Sequence, residues 1–123
     1  MFELEVSAAF EAAHFIDGYR GKCQNLHGHN WTVEALVRGQ ELDSLGMLID
    51  FKIIKAELNK VLDEFDHRFL NELGAFAQEN PTAENLARKI YERLSKSEIF
   101  NGATKLYAVK VQETPNSCVT YYE

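Results

Sequence analysis

Hydrophobic and polar residues alternate along the first fourteen positions. Phe2, Leu4, Val6, Ala8, Phe10, Ala12 and His14 fall on one face, and Glu3, Glu5, Ser7 and Glu11 on the other. A period of two over this length predicts a long strand with one buried face. His14 closes the apolar face, an unusual place for a polar ring. Residues 17–28, rich in Gly and polar groups, read as a loop. Alternation resumes at His29, with Trp31, Val33, Ala35 and Val37 on the same side. This is a second strand, expected antiparallel to the first. A turn-rich connection follows over residues 39–49.

The period then lengthens. Ile54, Leu58, Val61 and Phe65 recur at helical spacing behind Asp50, a residue suited to an N-cap. The pattern predicts a helix of about four turns, ending near Asp66-His67. After a loop over 71–80, Thr82 is placed to cap a second helix with the stripe Leu86, Ile90 and Leu94. Residues 105–113 predict a third strand, on which Tyr107, Val109, Val111 and Glu113 share a face. Pro115-Asn116 turns the chain into a short fourth strand at Val119–Tyr121. The order ββααββ predicts an α+β fold, with a four-stranded antiparallel sheet and two helices on one face.

The chain has 123 residues, which fits one domain over residues 1–123. Its 13 basic and 19 acidic residues leave a net charge of −6, which excludes a basic nucleic-acid platform and docking on an anionic membrane. No run approaches the roughly 18 apolar residues of a membrane span. The N-terminus carries acids where a signal peptide carries positive charge. The reading is a cytoplasmic protein with Cys23 and Cys118 as free thiols.

Three of the four histidines converge. His27-Gly28-His29 places two rings on one side of an extended segment, and a hairpin would bring His14 beside them. Three imidazoles with an open fourth position describe a catalytic zinc site. The spacing fits equally two solvated rings and a satisfied core histidine, and it leaves Cys23 open as a fourth ligand that would make the site structural. Cys23 also has Arg20 and Lys22 nearby and no acid between Gly18 and Val33. That setting favours a thiolate and suits a general base, or holds a loop cysteine of no role. Asp66-His67 reads either as an acid/base pair presented to one site or as polarity at a helix end. Adjacent residues rarely hydrogen-bond to each other in an orienting pair. Glu113 continues an apolar face, where it could accept two N–H bonds from an amidine-like ring, or simply ends a frayed strand.

These features lie in a specific order of blocks: CQNLHGHNWTVEALVRG, GMLIDFKIIK, LDEFDHRFLNEL, NPTAENLA and VQETPNSCVTYYE. The combination resembles the 6-pyruvoyltetrahydropterin synthase and 6-carboxytetrahydropterin synthase family over nearly the whole chain. The resemblance implies the tunnelling fold, in which ββααββ protomers close into trimers that stack as a homohexamer. It implies a Zn2+ cofactor on His14, His27 and His29, with Cys23 as catalytic proton acceptor. Asp66 and His67 match the further proton-transfer residues, supplied by a neighbouring subunit. Glu113 matches the acid that grips the pterin, and the segment from Thr82 to Glu84 lies where the family lines the pterin pocket. Three residues separate Cys23 from His27. That short gap resembles the bacterial 6-carboxytetrahydropterin synthases of queuosine biosynthesis, whereas animal pyruvoyl enzymes have a longer one. The implied reaction converts 7,8-dihydroneopterin triphosphate to 6-carboxy-5,6,7,8-tetrahydropterin, releasing triphosphate and acetaldehyde. The rivals are a pyruvoyl synthase, which stops before carbon–carbon cleavage, and a non-catalytic zinc- or pterin-binding module. The acid-free stretch from Gly18 to Val33 is where an anionic substrate is expected, since binding is decided locally rather than by net charge.

Overall fold

The computed structural model describes residues Met1–Glu123. Strands β1 (Phe2–His14) and β2 (His27–Gly39) form the long hairpin that their alternation predicts. They pair antiparallel without a slip from Phe2↔Gly39 to His14↔His27. Helix α1 (Phe51–Leu62) follows, then a two-residue strand β3 (Arg68–Phe69), helix α2 (Ala83–Leu94), β4 (Thr104–Thr114) and β5 (Ser117–Tyr122).

The sheet has five strands, not four, in the order β3-β1-β2-β4-β5. It is mixed rather than wholly antiparallel, because β3 runs parallel to β1 at Ala12 and Ala13. Two residues are too few for a period-two signal. The α+β architecture is otherwise as the pattern predicts.

Both helices begin where their caps lie. Asp50 Oδ1 accepts from Lys52 N at 2.8 Å, and Thr82 Oγ1 accepts from Asn85 N at 3.1 Å. Helix α1 stops at Leu62, short of the expected end, and residues 63–67 turn instead. Phe65 is still buried, so its place in the apolar stripe reflects core packing beyond the helix.

Ile54, Leu58, Leu86, Ile90 and Leu94 from the helices pack on Val6, Phe10, Trp31, Val33, Ala35, Val37, Val109 and Val111 from the sheet. Burial of this apolar surface is the main stabilising term. Tyr107 departs from its expected face. The register slips between Leu36 and Val37, so that Val37 opposes Leu106 and Tyr107 becomes the extra residue of a bulge. Leu106 takes the core position, and the Tyr107 ring carries the Arg38 guanidinium 3.2 Å from its centroid. A second slip, between Gln112 and Thr114, leaves Glu113 as the extra residue opposite β5.

Candidate metal centre and active site

The hairpin register sets His14 directly opposite His27 at the last pair of the β1–β2 ladder, and puts His29 opposite Ala12. The even positions of β1 and the odd positions of β2 share the core-facing side, so all three rings meet. Ring centroids lie 4.5 Å apart for His14–His27, 4.7 Å for His27–His29 and 5.3 Å for His14–His29. Trp31 forms the floor, edge-on to His14 and His29. Its indole N–H donates to Ala12 O at 3.3 Å.

Backbone carbonyls select the tautomers. His14 Nδ1 lies 2.7 Å from Pro81 O, and His27 Nδ1 lies 2.7 Å from Asn25 O. A carbonyl only accepts, so each ring donates Nδ1–H and a neutral ring keeps its lone pair on Nε2. Burial lowers the pKa of His14 and of His29 below the ordinary imidazole value, offset only in part by the Pro81 hydrogen bond at His14 and by the Glu113 charge at both. Both rings are therefore neutral at neutral pH. The buried Nε2 atoms of His14, His27 and His29 have no hydrogen-bond partner.

Glu113 completes the cluster, two residues beyond Val111 on the buried face of β4. Its Oε1 lies 3.2 Å from His14 Nε2 and 3.1 Å from His29 Nε2. The donor atoms of His14, His27, His29 and Glu113 all lie within 4.8 Å of one another. At His14, whose Nδ1–H is committed to Pro81, the carboxylate faces an Nε2 lone pair, acceptor against acceptor, and a cation between them resolves it. Zinc–nitrogen bonds of about 2.05 Å place tetrahedral ligands about 3.3 Å apart, close to the spacings at Glu113. The four residues fit a borderline divalent metal. Alternation puts Glu113 on the face of Val109 and Val111, but its approach to the imidazoles depends on the pairing of β4 with β2, which a single strand does not encode.

Cys23 lies in a single 3-10 turn, Lys22–Gln24, half-buried and outside the four-donor cluster. The group that lies beside the imidazoles is therefore Glu113 and not Cys23. Cys23 and Cys118 are both free thiols.

The polar contacts of Asp66 and His67 run to Glu11 and to each other, and not to the three rings. Asp66 Oδ1 accepts from Glu11 N at 3.0 Å, and His67 N donates to Glu11 O at 2.6 Å. The bond from Glu11 N is the chief reason the Asp66 carboxyl is held below its usual pKa. Contrary to the expectation for neighbours in sequence, His67 Nδ1 meets Asp66 Oδ1 at 2.9 Å. The left-handed backbone of His67, at φ 55°, folds the ring back. Because α1 ends at Leu62, His67 does not sit on a helix terminus. His67 borders an open cleft of about 620 Å³ with Glu11, His29, Asn30 and Arg68. A larger cleft, about 750 Å³, lies at the Gly39 end of β2, away from the histidines.

Thr82 and Glu84 open α2. The Thr82 hydroxyl accepts the capping bond, and Glu84 is exposed in the first turn. Pro81, next to Thr82, links this segment to His14. Asn71, Asn80 and Asn85, which belong to the sequence blocks but carried no assigned role, all bond to backbone around the site.

A family model described as 6-pyruvoyl tetrahydropterin synthase matches residues 3–123. The chain is 37% identical to a 6-carboxy-5,6,7,8-tetrahydropterin synthase of Rickettsia felis, over 89% of this chain and 92% of the relative. It is 32% identical to the enzyme of that name from Haemophilus influenzae, with both chains covered fully. The solved structure of Caenorhabditis elegans 6-pyruvoyl tetrahydropterin synthase superposes with a TM-score of 0.87 at 32% identity, covering 99% of this chain and 95% of that one.

Proposed function

The chain belongs to the 6-pyruvoyl tetrahydropterin synthase family and is a tetrahydropterin synthase with lyase-type chemistry, and from that premise we propose that it is a zinc-dependent 6-carboxytetrahydropterin synthase. The substrate is 7,8-dihydroneopterin triphosphate. The products are 6-carboxy-5,6,7,8-tetrahydropterin, acetaldehyde and triphosphate, and the pathway is that of queuosine. The relatives named for the carboxy product and the short gap between Cys23 and His27 support this branch.

One observation carries the reading: three buried Nε2 atoms without hydrogen-bond partners converge beside a carboxylate. His14, His27 and His29 would hold the zinc ion, which when bound supplies Lewis acidity to the hydroxyls of the substrate side chain. Cys23 accepts a proton from a side-chain carbon and returns it to the pterin ring. Arg20 and Lys22, close to it in sequence, draw the triphosphate. Glu113 accepts N–H bonds from the amidine-like edge of the pterin, leaving the fourth position beside the imidazoles to substrate oxygen. Thr82 and Glu84 line the ring's pocket. Asp66 and His67 move a further proton in the site of a neighbouring subunit. Neither makes a polar contact with the imidazoles of its own protomer, which supports a shared site.

Assembly into a homohexamer follows from the same reading. The outer edge of β1 is paired only at Ala12 and Ala13, and β5 is the opposite edge of the sheet. Two open edges on one protomer suit closure of a ring. No helix is long and apolar enough to cross a membrane.

The similarity to the Caenorhabditis elegans structure favours a second reading, a pyruvoyl synthase. Incubation with 7,8-dihydroneopterin triphosphate and mass detection of the pterin product separates the two. The carboxy product with acetaldehyde is expected. A pyruvoyl product without acetaldehyde would establish the second reading.

A further inference from the structure

β1 ends at His14, and the three residues that follow leave the sheet. Their backbone groups nevertheless have partners. The side-chain amide of Asn71 accepts from Phe15 N at 2.9 Å and donates to Phe15 O at 3.0 Å. The side-chain amide of Asn80 does the same to Asp17, at 3.0 Å in both directions. A carboxamide has the donor and acceptor of a peptide group, so each asparagine acts as a strand neighbour one residue long. Between them, Ile16 N donates to Cys23 O at 2.7 Å.

Asn80 is itself held. Its carbonyl accepts from Asn85 Nδ2 at 2.9 Å, and Asn85 Oδ1 accepts from Arg88 at 2.9 Å. The next residue is Pro81, whose carbonyl takes the Nδ1–H of His14 at 2.7 Å. The loop before α2 therefore grips the end of β1 twice, at the His14 ring and at the Asp17 backbone, while Asn71 grips between them. The same short segment carries the hydrogen bond that fixes the Cys23 backbone.

We infer that Asn71 and Asn80 are positioning residues, which hold Cys23 in register with the metal-binding end of β1 by pairing with the backbone on either side of Ile16. The inference rests on the proposed role of Cys23 as proton acceptor. Proton transfer needs near-contact geometry, and a displacement of about 1 Å can cost about 100-fold in rate. The imidazoles are set mainly by the hairpin ladder, which does not involve either asparagine. Loosening the clamp thus lowers kcat and leaves zinc binding and KM nearly intact.

The test compares wild-type protein with Asn71→Ala, Asn80→Ala, the double variant, and the two Asn→Asp variants, which keep the acceptor and lose the donor. Each is measured for kcat, KM, zinc per chain and amide hydrogen exchange at Ile16. The double variant is expected to lose kcat by about 30-fold or more, with KM within about threefold and zinc retained, and the Asp variants to fall between. Exchange at Ile16 should quicken by about tenfold or more as its anchors are lost. A kcat within about threefold of wild type, or a loss of kcat that tracks loss of zinc, overturns the inference. If the double variant does not fold, the Asp variants decide by the same criteria. If wild-type protein does not process the triphosphate, the reading of Cys23 fails on its own. Exchange at Ile16 then judges the clamp, and unchanged exchange overturns it.

Discussion

His14 and Pro81 are joined across 67 residues by a single hydrogen bond, from the imidazole Nδ1 to a buried carbonyl. That bond ties the last residue of β1 to the loop before α2 and leaves the His14 Nε2 lone pair aimed at His27, His29 and Glu113. Such outer partners typically orient and strengthen metal ligands. His14→Ala should weaken zinc binding by about 100-fold or more, since it removes one of three imidazoles together with its anchor. Competition against a chromophoric chelator measures this directly.

Glu113 separates two accounts of the centre. If the imidazoles hold the metal and the carboxylate holds the pterin, Glu113→Gln should retain one zinc per chain. Its KM should rise by about tenfold or more, because an amide cannot accept two N–H bonds as a carboxylate does. Loss of zinc in this variant would make Glu113 a fourth ligand and the site closed.

The metal-free protein should lose stability in acid. Burial holds His14 and His29 below the ordinary imidazole pKa, with His27 adding repulsion and Glu113 attraction. In the unfolded chain the same rings protonate near pH 6.5. Below that point the unfolded state binds more protons, so stability rises with pH across the window and falls as pH drops through it. Thermal melts from about pH 7.5 to about pH 5.5 should show a falling midpoint, and a smaller fall in His14→Gln. Bound zinc should raise the midpoint and steepen its fall in acid, because protons compete with the metal for Nε2.

Cys23→Ala should keep zinc and pterin binding and abolish turnover. The thiol lies outside the donor cluster, so its removal leaves the metal ligands in place. Zinc per chain, binding of the substrate pterin and steady-state rate report the three effects separately. Normal turnover would remove Cys23 from the proton path.

The main strands, both caps and the convergence of three histidines were legible because each rests on a short-range rule. Alternation put His14, His27 and His29 on one face, and Asp50 and Thr82 marked their helices by chemistry that needs only three or four residues. What escaped depends on register and tertiary contact. The bulge that moves Tyr107 off the core face comes from pairing with β2, which a single strand does not encode. The slip at Glu113 likewise arises between β4 and β5. β3 is too short to carry a period. His67 falls at the end of the expected helix because Phe65 continues the apolar stripe of α1 after the helix has stopped. The asparagine pairs span 56 and 63 residues and leave no local pattern at all.

The central claim is that the histidine cluster is a metal centre on which turnover depends. Zinc is removed by chelation, then added back in steps while acetaldehyde release from 7,8-dihydroneopterin triphosphate is followed. The account predicts no release from the metal-free protein and a linear rise that saturates at about one zinc per chain. Release that does not respond to zinc, or that continues in His27→Ala and His29→Ala, would contradict it.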